Sequence, residues 1–306
     1  MLSRAITLVE STLTADRVLG QEVLQAVLPC TGRSLRIGIT GVPGVGKSTF
    51  IEALGRHVVE TLGKKLAVLT VDPSSQRGGG SILGDKTRMP WLSAHPAVFV
   101  RPSPAGTSLG GVTRATREAL LLCEAAGHDV IFVETVGVGQ SETAVHGLVD
   151  FFLLLLLAGA GDELQGLKRG IMEMADALCI TKSDHANKQA ARRARVDYQS
   201  ALHLFPPAPS GQVVPVLLTS AVTGAGLPET WATIETYAAT AQTSGYFAQR
   251  RAEQQLQWFE EAVQQALAAQ FYGRAGVWGA LPGVRAAVAA GQLTPWAAAE
   301  RLLGAE

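Results

Sequence analysis

Short runs of aliphatic residues recur through the middle of this chain, separated by stretches in which apolar positions return every three or four residues. The runs fall at residues 36–40, 66–71, 97–100, 130–133, 151–157, 177–180 and 214–218. Most are unbroken rather than alternating, which marks strands covered on both faces. Residues 48–62, 113–126 and 187–205 carry helical spacing instead. Strands alternating with helices predict βαβ units and an α/β fold with a mainly parallel sheet flanked by helices. Residues 1–33 read as helical, with Leu8, Leu13, Leu19, Val23, Leu24 and Val27 on near-helical spacing. Helical spacing returns from Leu227 to about residue 270. Glycines and Pro282 then predict a break, followed by one or two short helices divided near Gly291 and Pro295. The expected organisation is an N-terminal helical extension (1–33), an α/β core (34–226) and a C-terminal helical region (227–306).

Composition narrows the class. Hydrophobic residues make up 47% of the 306 positions and charged residues 17%, which supports a large core and excludes disorder. Acidic and basic residues number 26 each, so no net charge argues for nucleic acid or an anionic membrane surface. The most apolar stretch, 151–160, is about half of what a membrane-crossing helix requires. Residues 1–20 lack an apolar run of signal-peptide length. A cytoplasmic protein without membrane insertion is expected. The three cysteines, Cys30, Cys123 and Cys179, form no CxxC pair and are expected as buried, reduced thiols. No two of the six histidines share a helical face at ligand spacing, so histidine-based metal chemistry is set aside.

The chemistry concentrates where strands end. Gly41-Val42-Pro43-Gly44-Val45-Gly46-Lys47-Ser48 fits GxxxxGK[ST] without mismatch, after an expected strand and before an expected helix that opens with Ser48 and Thr49. That context predicts a P-loop NTPase. Glycines allow the backbone to wrap a triphosphate and aim its N–H groups at the oxygens, while the helix presents its positive end. Lys47 is expected on the β- and γ-phosphates and the Ser48 hydroxyl on Mg²⁺. Two apolar runs close on carboxylates, Asp72 and Glu134, at the edge where parallel sheets hold ligands, and hard oxygen donors suit Mg²⁺. Gly137 and Gly139 follow Glu134 and form a candidate γ-phosphate sensor.

Thr181-Lys182-Ser183-Asp184 follows another strand and resembles the NKxD motif of GTPases, with Thr in place of Asn. One carboxylate, Asp184, can accept from both the ring N–H and the exocyclic amine of guanine. Adenine offers no such pair and would leave Asp184 unsatisfied. The Lys182 stem is expected over the base plane. Ser220, Ala221 and Val222, after the last strand, resemble the final GTPase motif, where a backbone N–H meets the guanine carbonyl. GTP and GDP are therefore the expected nucleotides.

Longer segments carry a more specific resemblance. These are the glycine-rich loop, Val71-Asp-Pro-Ser-Ser75, Gly84-Asp-Lys-Thr-Arg-Met89, Glu134-Thr-Val-Gly-Val-Gly-Gln-Ser-Glu142, the 161–170 segment and Ser220-Ala-Val-Thr-Gly-Ala-Gly226. Together they resemble the MeaB/ArgK-type GTPases along the whole chain. The resemblance implies a G-protein chaperone of an adenosylcobalamin-dependent mutase, such as methylmalonyl-CoA mutase, that is homodimeric through its C-terminal helices. It implies Ser48, Asp72, Asp85 and Glu134 as direct or water-mediated Mg²⁺ ligands, and Lys47, Glu134 and Asp85 as the catalytic set. It further implies a mobile loop near 73–90 and, at 161–170, an additional switch that family members use to signal to the mutase. Older labels in the family describe an arginine/ornithine transport ATPase or kinase, which is one alternative activity; a nucleotide-gated scaffold with negligible turnover is the other.

Overall fold

A computed structural model describes residues 1–11, 13–71, 88–102, 109–135, 141–158 and 169–305. These divide into two compact units, 1–248 and 249–306. The first is built on seven strands: β1 (Leu35–Gly41), β2 (Leu66–Val71), β3 (Val98–Arg101), β4 (Val130–Thr135), β5 (Phe151–Leu157), β6 (Ala177–Thr181) and β7 (Val216–Leu218). Their order is β3-β2-β4-β1-β5-β6-β7 and every pairing is parallel. The expected sheet is therefore present, and all seven strand C-termini lie along one edge.

Burial explains the unbroken apolar runs. Every residue of β2, β4 and β6 is buried, and β5 is buried except at Leu157. Edge strand β3 is only partly covered. The helices of this unit are α1 (Leu2–Glu10), α2 (Thr14–Val27), α3 (Lys47–Arg56), α4 (Pro90–Ala94), α5 (Leu109–Ala125), α6 (Ser141–His146), α7 (Arg169–Met174), α8 (Lys188–Leu202) and α9 (Leu227–Thr243). One core layer combines Phe50, Ile51 and Leu54 of α3 with Trp231, Ile234 and Tyr237 of α9 against Phe132, Phe151 and Leu153. A smaller layer sets Ala191 and Tyr198 of α8 and Met172 of α7 against Leu154, Leu156 and Ile180.

The N-terminal helices α1 and α2 pack on α5. Buried polar contacts fix the chain that leaves them. Glu124 accepts from the Arg36 Nε at 2.8 Å and from the Gly32 N–H at 2.7 Å.

The helical C-terminal pattern differs in detail from expectation. The 227–270 stretch divides at Ser244–Gly245 into α9 and α10 (Tyr246–Tyr272). Gly245, at φ 81°, adopts the left-handed conformation that ends a helix. The 271–282 stretch ends α10 as expected, at Tyr272, but the break falls at Gly273 and Arg274 rather than at Pro282. Pro282 lies inside α11 (Ala275–Ala289). In the second unit, burial of Val277 and Val284 against Ala298 and Leu302 of α12 (Pro295–Leu303) offsets the cost of a proline inside a helix, about 3 kcal/mol for the lost hydrogen bond and the ring clash together.

Candidate nucleotide site

Parallel strands converge on the loop between β1 and α3. The chain leaves β1 for β2 on one side and reaches β5 on the other, so β1 stands where the connections diverge. Ligands in open parallel sheets bind outside such a point. Gly41 ends β1, and a Cβ there would lie 2.6 Å from the Leu155 carbonyl oxygen. Only glycine lets the loop leave that close to β5. Gly46, at φ 92°, opens α3 with no side chain capping it. The first-turn N–H groups of α3 are thus presented to a ligand, an arrangement that suits a phosphate.

Lys47 reaches back over this loop. Its Nζ donates to the Gly41 carbonyl at 2.7 Å and the Val42 carbonyl at 3.3 Å. Burial lowers its pKa, and the nearby Glu134 and Glu142 oppose that shift. Ser48 Oγ lies 3.3 Å from Glu134 Oε1. Glu134 itself is buried near the end of β4, in register with Ile39 of β1 and Thr70 of β2. Thr40 and Thr135, one residue on, are hydrogen-bonded at 2.7 Å. The sheet therefore sets the Ser48–Glu134 pair through backbone register.

On the other side of β5, the 181–184 loop is tied to the phosphate loop at two points. The buried Thr181 hydroxyl donates toward the Val45 carbonyl at 2.8 Å and lies 3.2 Å from that of Leu156. Lys182 Nζ donates to the Gly44 carbonyl at 2.9 Å. Its Cε lies 3.6 Å from where a Cβ on Gly46 would stand. Lys182 and His185, at φ 54° and 44°, flank Asp184. They are the non-glycine left-handed residues among those described, a strain that concentrates at ligand sites. Ser220 Oγ donates to Asp184 Oδ2 and accepts from the Thr223 N–H at 3.2 Å. Ser183 bonds the Thr219 carbonyl through both its N–H (3.0 Å) and hydroxyl (2.8 Å). Asp184 is half-buried, with one oxygen held by Ser220. Ala221 is half-buried and Val222 exposed beside it.

The described residues thus bring Gly41, Val42, Pro43, Gly44, Val45, Gly46, Lys47, Ser48, Thr49 and Glu134 to one end of the sheet. Thr181, Lys182, Asp184, Ser220, Ala221 and Val222 lie at the same edge. Asp72, Asp85, Thr87, Gly137 and the 161–168 segment lie outside the described residues. Among the described residues, no group of three or more His, Cys, Asp or Glu is placed to hold a metal, in keeping with two of the expected carboxylates lying outside them. Sequence reading gave no role to Glu142. This side chain, on α6, is 4% exposed, and its Oε2 has no hydrogen-bond partner among the described residues. Its Coulombic influence reaches Lys47. The only signal in the sequence was its place eight positions after Glu134, which does not specify proximity.

The profile of the family described as methylmalonyl Co-A mutase-associated GTPase MeaB matches residues 2–275. A protein of Caulobacter vibrioides named as a GTPase is 51% identical over 304 residues, covering 99% of this chain and 93% of its own. A mouse protein named methylmalonic aciduria type A homolog, mitochondrial, is 46% identical over 314 residues, covering 99% of this chain and 75% of its own. A solved structure described as the LAO/AO transport system kinase superposes with a TM-score of 0.76 at 36% identity, over 98% of this chain and 91% of that one. With the phosphate loop and the Asp184–Ser220 clasp in place, these likenesses show that the chain belongs to the MeaB family of GTPases.

Proposed function

We propose that this GTPase is a guanine-nucleotide switch that chaperones an adenosylcobalamin-dependent acyl-CoA mutase, methylmalonyl-CoA mutase or a relative, gating its cofactor loading or protecting it. The Asp184–Ser220 clasp carries the nucleotide half of this reading. It fixes one carboxylate oxygen and leaves the other to accept from guanine. The partner half rests on the family description and on the mouse relative's name.

Magnesium fits the site. A hydroxyl and a buried carboxylate 3.3 Å apart are the hard oxygen donors it takes. Ser48 and Glu134 would hold it, with Asp72 and Asp85 as further oxygens. When bound, it would neutralise charge developing between the β- and γ-phosphates. The chain supplies the remainder. The α3 N–H groups cradle the phosphates, and Lys47 moves its ammonium from the Gly41 and Val42 carbonyls to the γ-phosphate. Asp184 fixes the base, and a water attacks the γ-phosphorus in line as its bond to the β–γ bridging oxygen breaks, releasing GDP and inorganic phosphate. Release of that phosphate changes the loops around it, and the two states must differ in affinity for the partner for a signal to pass.

Competition of unlabelled GTP and ATP against a fluorescent GDP tests the base assignment. GTP is expected to displace the probe far better than ATP. Equal competition would favour an ATP-dependent kinase or transport ATPase, the reading that the name of the 36%-identical solved structure supports. Hydrolysis is expected to be slow alone and faster with the mutase, and an unchanged rate would overturn the coupling. We also place self-association in the 227–306 helical region, where α10 exposes Leu256, Phe259, Val263 and Leu267 at helical spacing. Light scattering is expected to give a dimer mass, reduced by Phe259→Glu. Among the described residues, no helix is long and apolar enough to cross a membrane. The reading places the protein in the cytoplasm, which cell fractionation checks.

A further inference from the structure

Buried carboxylates normally sit beside donors or cations, because an unpaired buried charge is costly. Glu142 departs from this. It is 4% exposed, yet its Oε2 has no donor among the described residues. The cation it influences, Lys47, shares its field with Glu134 and is already bonded to the Gly41 and Val42 carbonyls. Helix α6 packs against β4 and β1, the strands that end at Glu134 and at the phosphate loop. The orphaned oxygen therefore belongs to the neighbourhood of the Ser48–Glu134 pair. Magnesium keeps several waters when it binds through few protein oxygens, and each water carries hydrogens that need acceptors. We propose that Glu142 is a further carboxylate of the cation site, acting from outside the ligand shell by accepting a hydrogen bond from a water held on the magnesium ion.

This rests on the guanine-nucleotide reading of the site. Glu142 is a positioning residue in this assignment, because it acts on metal-bound water rather than on the nucleotide. Glu142→Gln keeps the size of the side chain and removes its charge. The test measures a fluorescent GDP analogue on the full chain, first in EDTA and then through a titration with MgCl₂. Glu142→Gln is expected to need about 10-fold or more magnesium for the half-maximal effect, the usual scale for an outer-shell partner. Binding in EDTA is expected to stay within about twofold of the native protein, since the phosphate contacts do not involve Glu142. The nucleotide-free melting temperature is expected to hold or rise, since an unpartnered buried charge has been removed. Glu142→Asp keeps the charge and should need less magnesium than Glu142→Gln.

An unchanged magnesium midpoint in both variants would overturn the proposal. So would equal weakening in EDTA, which would assign Glu142 to Lys47 or to the fold. If the native chain bound no guanine nucleotide, the base reading itself would fail. If it bound nucleotide without any magnesium effect, the cation site would fail while the base reading stood.

Discussion

Thr181 stands where GTPases of the NKxD type carry Asn. In the structure its hydroxyl braces the Val45 carbonyl from beneath the phosphate loop. Under the proposed reading, base choice rests on Asp184, whose Oδ2 is held by Ser220. The two residues should separate cleanly on substitution. Thr181→Val removes a donor from buried carbonyls and should cost about 1–3 kcal/mol of stability, with the GTP-to-ATP preference intact. Asp184→Asn should weaken GTP by about 100-fold or more, because two donors of guanine lose a charged acceptor, with little change in melting temperature. Chemical denaturation and competition binding on the two variants check this. Loss of base preference in Thr181→Val would return that residue to the base contact.

At the scale of elements, α3 does more than present its N-terminus. Glu52 on its flank accepts from the Trp91 N–H at 2.8 Å and the Leu92 N–H at 3.3 Å, so it caps the start of α4. Arg56, one turn on, lies 5.4 Å from the centre of the Trp91 ring. Helix α3 therefore anchors the chain just after residues 72–87, which contain two of the expected magnesium ligands. Glu52→Ala should cost about 1 kcal/mol, the usual loss of a helix cap, and should also weaken the magnesium dependence of GDP binding. A stability loss with unchanged magnesium dependence would limit Glu52 to capping.

Across the whole molecule, the thiols report how completely the sheet is covered. Cys123 and Cys179 are buried and Cys30 is exposed, so the expectation of three buried thiols fails at Cys30, which closes a short turn on the surface. Burial pushes both interior thiols up to about 12. Thiolate is the reactive form, and a raised pKa leaves almost none of it at pH 8. One thiol per chain should therefore react with a disulfide reagent at pH 8, and three after unfolding. His128 titrates in the opposite sense. Burial is the main cause that lowers its pKa below the ordinary histidine value. The unfolded chain then binds the proton more readily, so this residue's contribution to stability is present above about pH 6.5 and is lost as pH falls below it. Melting temperature against pH, compared between the native protein and His128→Gln, measures that contribution.

The sequence by itself determined the sheet, because strands buried on both faces must be written as unbroken aliphatic runs, as 66–71 and 151–157 are. It also determined the phosphate loop, since GxxxxGK[ST] between a strand and a helix is specified locally. What only the tertiary structure decided were contacts between segments far apart in the chain. Strand order placed Glu134 beside Ser48, and β6 carried Thr181 to the phosphate loop. The packing of α6 buried Glu142 without a donor near Lys47. The glycines of 271–282 end α10 at Tyr272 as the sequence indicates, whereas Pro282 is held inside α11, because the burial of Val277 and Val284 that offsets its local cost of about 3 kcal/mol exists only once α11 and α12 meet. Local rules fix elements and turns. Long-range burial fixes which polar groups face one another, and in this protein it sets the Thr181 hydroxyl against the Val45 carbonyl and buries Glu142.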